Sequence, residues 1–146
     1  MDLLNGTHAF GAQGANGTRT VTTKDVFKAA LYLASATVDS TTTAYSGTGE
    51  VSGTGYTAGG VTVTNATAPA NTGGTGIIAF WTPSASFAWT TVTLSTAFDA
   101  VLLYNDSNTA KAAVAVFTFG SQTVTAGNFT LTMPTNDLTT GLIRLS

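Results

Sequence analysis

Charge is scarce in this chain, and that constrains its fold more than any motif. Asp, Glu, Lys and Arg make up 8% of 146 residues, whereas threonine alone occurs 31 times. Soluble domains average about 25% charged residues, so something other than ions must keep the surface wet. Threonine can do this on a β-strand: its branched Cβ favours the pleated backbone and its hydroxyl faces water. The same composition leaves little with which to run acid–base, nucleophilic or metal chemistry. The first expectation is therefore a structural β-protein.

The length suits one domain with a real core, and 43% hydrophobic residues argue against disorder throughout. The five cations, Arg19, Lys24, Lys28, Lys111 and Arg144, are scattered within a net charge of −2. No basic run is available to follow a phosphate backbone, so no nucleic-acid partner is expected. With no cysteine there is neither a disulfide framework nor a thiolate metal site. Residues 1–6 have neither a basic n-region nor an apolar h-region and do not read as a signal peptide. No apolar run reaches bilayer-spanning length, so no membrane partner is expected.

Residues 1–23 differ in composition from the rest. Gly6, Gly11, Gly14 and Gly17 punctuate small and polar residues, with Leu3, Leu4, Phe10 and Val21 as the possible anchors. No helical or alternating period holds, which predicts an extended N-terminal arm followed by a single domain over 24–146. Residues 25–34 are ambiguous. Thr23 or Asp25 could cap a helix burying Val26, Ala29, Ala30 and Leu33, while a strand would place Phe27, Ala29, Leu31 and Leu33 on one side. Composition slightly favours the helix.

Residues 35–60 read as a long loop, with Ser46-Gly47-Thr48-Gly49 echoed by Ser52-Gly53-Thr54-Gly55. A strand is expected from Val61 to Thr64, then a loop through Pro69 and Gly73-Gly74. Further candidate strands are 76–82, 87–89, 92–94, 97–105 and 111–119, with Asn105 to Asn108 as a turn. Ala126-Gly127 is expected to join 122–125 and 128–133 as a hairpin. Leu142 to Leu145 would be the last strand. About eight short strands without helix indicate an antiparallel β-sandwich, jelly-roll-like.

The search for chemistry returns little. His8 is the only histidine and sits in the arm, with no ordered partners for a triad or metal site. The carboxylates, Asp2, Asp25, Asp39, Glu50, Asp99, Asp106 and Asp137, form no local pair of the kind a glycosidase uses. Asp39, Asp106 and Asp137 fall in expected turns, where aspartate bonds to the backbone. The glycine-rich phrases are followed by Glu50 or Tyr56, not by the lysine or helix that a phosphate loop needs. No catalytic, cofactor-binding or metal residue is assigned. Phe80, Trp81, Phe87 and Trp89 cluster in sequence; they can be core, an interface or a sugar-stacking platform. Phe87 and Trp89, at i and i+2, would share one face of a strand. Leu3, Leu4, Phe10, Tyr56, Trp81 and Trp89 are the candidate interface residues.

Several phrases in order carry a resemblance. Glu50-Val51-Ser52-Gly53-Thr54-Gly55-Tyr56-Thr57-Ala58-Gly59-Gly60, after Ala30-Leu31-Tyr32, resembles a family of small tailed-phage virion proteins. So do the stretches 100–105, 113–120 and 129–135, and the closing Ile143-Arg144-Leu145. The resemblance spans roughly 24–146 and favours the strand for 25–34. It implies a β-sandwich part of an assembled particle rather than an enzyme, and it carries no catalytic residues over. The long arm departs from the family's pattern. The leading expectation is a capsid decoration or cement protein in the virion, its partners the major capsid protein and itself as a symmetric homo-oligomer. The alternative is a tail- or fibre-associated protein, including a receptor- or glycan-binding module.

Overall fold

A computed structural model describes residues 25–64, 70–72 and 78–145. The expected arm, with Leu3, Leu4 and Phe10, lies outside the described residues. Among those described the fold is all-β and antiparallel, with no helix. The strands are β1 (Phe27–Leu33), β2 (Val61–Thr62), β3 (Ala70–Thr72), β4 (Ile78–Trp81), β5 (Phe87–Asn105), β6 (Ala113–Leu131) and β7 (Ile143–Leu145). They form one sheet in the order β2-β1-β5-β6 and a smaller one in the order β3-β4-β7.

The ambiguous segment is a strand because it is buried on both sides. Ala29 and Leu31 enter one core with Val101 and Leu103 of β5, while Ala30 and Tyr32 enter another with Ala100, Leu102 and Tyr104. A strand covered on both faces reads as a near-continuous apolar run, and over a short window that run mimics a helical face. The second core is capped by Ala36, Val38 and Tyr45 from the loop after β1.

Two expectations are corrected. The short strands expected at 87–89, 92–94 and 97–105 are one 19-residue strand, and β6 runs unbroken for another 19. Ala126-Gly127 is therefore not a hairpin link. It is an irregularity inside β6, where Gly127 still pairs with Val92 and Val124 with Leu94. Both sites have the backbone chemistry of turns, since Thr91 and Ala126 adopt φ of 53° and 45°. Their displaced amides are satisfied across the ladder. Thr91 N–H donates to Asn128 Oδ1 at 2.9 Å, and Ala126 N–H to Thr93 Oγ1 at 3.1 Å. These are β-bulges, which bend the strand pair.

The bend is large. Phe119 and Phe129 would stand roughly 33 Å apart on a straight strand, yet their ring centroids are 5.2 Å apart. Phe98 meets Phe129 edge-on at 5.0 Å, although its ladder partner is Gln122. The β5–β6 ribbon thus folds onto its own apolar face. Phe87, Trp89, Val92, Leu94 and Phe98 are buried between its halves as the main core. Phe87 and Trp89 share that face, as their spacing predicts. β3 falls inside a stretch expected to be loop, where its backbone pairs with β4.

Candidate functional site

A group of hydrogen-bonded polar side chains from distant parts of the chain lies around Glu50, in the glycine-rich stretch 46–60. Residues 49–63 form a strap along the outer edge of β1. Leu33 N–H donates to Gly49 O at 2.9 Å, Val51 N–H to Leu31 O at 3.0 Å, and Val63 N–H to Phe27 O at 2.8 Å. The strap also reaches the bend in β5, where Thr93 N–H donates to Thr54 O at 2.9 Å. Its glycines are required by close approach. A Cβ on Gly53 would collide with Thr93 O, and one on Gly60, at φ +76°, with Ala29 O.

Glu50 is the fastener beneath this strap. Its Oε2 accepts from Tyr45 Oη–H at 2.6 Å, and its Oε1 from Tyr56 Oη–H and Gly59 N–H, each at 2.7 Å. Tyr56 Oη in turn accepts the Leu31 N–H at 3.0 Å, filling a gap in the β1 edge. Tyr45 stacks on Tyr104 with ring centroids 4.5 Å apart, and Tyr104 Oη–H donates to Gly59 O at 2.9 Å. Tyr32 Oη–H donates to Ser46 O. Three of the four tyrosines of the chain thus converge on one carboxylate and its strap, and Tyr32 holds the turn just before it.

The electrostatics are those of a lock. Burial, then the bond to Glu50, pushes the Tyr45 and Tyr56 hydroxyls well above the ordinary tyrosine range. Tyr104 is pushed up to about 12, by burial first and then by the Asp106 and Glu50 charges. Neutral phenols with raised pKa values donate hydrogen bonds; they are not poised as bases or nucleophiles.

The remaining described carboxylates with resolved bonds are used in the same way. Asp106 bonds Lys111 Nζ at 2.8 Å and Lys28 Nζ at 3.1 Å, tying the end of β5 to β1 and to the start of β6. The Lys111 hydrogen bond is the main cause holding its carboxyl below the usual range. Asp39 closes a turn by accepting from Thr41 N–H, and Asp137 from Thr139 and Thr140 N–H, each at 2.7 Å. The hydroxyls of the same threonines also donate to these carboxylates, and those bonds first, then the backbone ones, lower both carboxyls. Buried Asn105 organises the following turn through Ser107 N–H and Asn108 N–H. Among the described residues no three of His, Cys, Asp and Glu gather as a metal site requires.

The candidate interface residues separate. Trp89 is 3% exposed inside the folded ribbon, packed against Phe129 at 5.7 Å, so its ring belongs to the core. Its indole N–H is buried without a hydrogen-bond partner. Trp81 is half-buried against the same core, and Tyr56 is half-buried with its hydroxyl occupied by Glu50 and Leu31. Sequence reasoning did not single out Glu50 as a hub. The available signal was Tyr45, Glu50 and Tyr56 flanking one another in a glycine-rich loop, and it gives no direction to the side chains. No protein-family model, curated protein or solved structure matches this chain.

Proposed function

We propose that this chain is a phage virion structural protein, a capsid decoration or cement protein that binds the outer shell and bridges major capsid subunits. The observation that carries this reading is that Asp25, Asp39, Glu50, Asp106 and Asp137 each bond to groups of the chain itself. Glu50 and Asp106 fasten segments of the fold to one another, and Asp39 and Asp137 close turns. The tyrosines around Glu50 serve as neutral donors. A scaffold built this way presents mainly backbone and hydroxyl groups to its neighbours. Protein surfaces can then meet with little cost for stripping water from charges. The resemblance of the 50–60 strap to tailed-phage virion proteins supports the same reading. We take the folded β5–β6 ribbon as the centre of a jelly-roll-like sandwich, and residues 1–23 as an arm that adds contact to the capsid or to a neighbouring copy.

Copy number tests the assignment. Quantitative mass spectrometry of purified virions should give this chain in a simple ratio to the major capsid protein, near one or one third. A ratio of a few percent would overturn the decoration role and move the chain to the tail or a fibre. The burial of Trp89 weighs against a sugar-stacking platform there.

A further inference from the structure

β6 is the outermost strand of the larger sheet, bonded to β5 along one side only. Its start is covered, since Ala113 N–H donates to Thr43 O and Tyr45 N–H to Lys111 O. From Val114 to Phe119, no described residue pairs with the outer edge. Every second N–H and C=O there points away from β5.

The composition of this edge is anomalous. Proteins guard such edges with lysine, proline or inward charges, yet residues 112–136 contain no charge, and Pro134 lies beyond the strand. The apolar run 112–117, Ala-Ala-Val-Ala-Val-Phe, has the pattern of an interior strand covered on both faces. Val116 lies on the second core while Val114, Ala115 and Phe117 lie on the main core, and all are half-buried. The other arm of the same strand differs. Over 128–132, exposed Asn128, Thr130 and Thr132 alternate with half-buried Phe129 and Leu131, the ordinary pattern of a solvated edge. One strand thus carries an ordinary edge at one end and an interior sequence at the other.

We propose that segment 114–119 of β6 pairs antiparallel with the same segment of a second copy about a twofold axis. The pairing merges the two four-stranded sheets into one continuous sheet. Charge selects the occupant. Two copies that each carry a net charge of −2 associate without repulsion only where like charges do not face each other, and this segment is neutral throughout. It also offers no charge to steer a foreign acidic or basic strand. An antiparallel pairing of identical strands satisfies both edges at once, as an isologous interface requires. Val116 and Phe117 would lie near the axis, the remaining exposed part of their side chains covered by the partner's. The inference deepens the assembly reading by naming the surface through which copies join, and rests on that reading only for its purpose.

Sedimentation velocity and amide hydrogen exchange on the full 146-residue chain, over a concentration series, test it. The expected result is a species of twice 14.8 kDa, with the outward-facing amides of 114–119, those not bonded to β5, protected in the dimer and exchanging freely on dilution. Thr118→Lys, at an exposed edge position, should yield a monomer with an unchanged circular dichroism spectrum, whereas Ser121→Lys, beyond the segment, should leave the dimer intact. A monomer at every concentration would overturn the proposal. So would protection of those outward-facing amides that persists on dilution, because a segment of the same chain would then occupy the edge. A Thr118→Lys protein that dimerises like the parent would overturn it as well. None of these outcomes alters the virion copy number, so this proposal and the capsid reading fail separately.

Discussion

Phe119 and Phe129 belong to the same strand, and their rings touch at 5.2 Å across a fold in that strand. The contact exists because bulges at Thr91 and Ala126 let the β5–β6 ribbon close on its apolar face. A single long hairpin thereby supplies both walls of its own core. Phe98 and Trp89 complete the junction from β5, at 5.0 and 5.7 Å from Phe129.

Phe129 is therefore the side chain on which closure of the ribbon most depends. Phe129→Ala should destabilise the protein by about 2–4 kcal/mol, somewhat less than the usual cost of truncating a core phenylalanine because the ring is half-buried. Thr130→Ala, on the exposed side of the same strand, should stay within about 0.5 kcal/mol of the parent. Urea denaturation of both variants checks this. A loss below about 1 kcal/mol for Phe129→Ala would mean that the halves of the ribbon are held chiefly by other contacts.

Glycines in the strap and on the strand should respond in opposite directions. Gly60→Ala places a methyl against the Ala29 carbonyl at a φ of +76° and should cost more than about 2 kcal/mol. Gly120→Ala meets nothing within 4 Å and should be neutral or stabilising by up to about 1 kcal/mol. Thermal melts of the two variants provide the comparison. Equal effects would contradict the close packing of the strap on β1.

The all-β class was legible in the sequence because it is written locally, in threonine content and in the alternation of Phe129, Leu131 and Met133. The Asn105 turn was legible for the same reason: its side chain bonds the backbone within three residues. Strand continuity was not. Ala126-Gly127 uses the positive-φ chemistry of a hairpin turn, and only the partner strand decides whether such a site reverses the chain or bends it. Likewise the Glu50 site draws Tyr104 from β5 and Leu31 from β1. No local pattern records those distances. The first strand was misleading by composition because burial on both faces erased the alternation that distinguishes strand from helix.

Acid should loosen the corner where β1, β5 and β6 meet. Asp106 is held below the ordinary carboxyl range by Lys111 and Lys28, so its folded pKa is lower than its unfolded one. Its contribution is present above about pH 4 and is lost as pH falls through the folded value. Asp39 and Asp137 act in the same direction. Urea midpoints measured from about pH 6 to pH 2 should fall below about pH 4. Asp106→Asn should be weaker at neutral pH and fall less steeply. A parallel curve would show that the corner is not coupled to this carboxylate.

Alkali tests the tyrosine lock from the other side. The folded hydroxyls of Tyr45 and Tyr56 lie well above the model-peptide value of 10.0, and that of Tyr104 at about 12. Between about pH 10 and pH 12 the unfolded chain releases these protons while the folded chain keeps them, so stability is complete below about pH 10 and declines as pH climbs. Tyrosinate absorbance should therefore lag the free amino acid and then rise together with loss of the circular dichroism signal. Glu50→Gln keeps one acceptor oxygen but loses the charge that the two hydroxyls and the Gly59 amide share. It should cost about 1–3 kcal/mol at neutral pH and shift tyrosine ionisation to lower pH. Tyr56→Phe, which removes the bonds to both Glu50 and Leu31, should weaken the fold by about 1–2 kcal/mol. A double-mutant cycle between Glu50→Gln and Tyr56→Phe separates the shared bond from the rest. Strict additivity of the two losses would refute Glu50 as the group that holds Tyr56 in place.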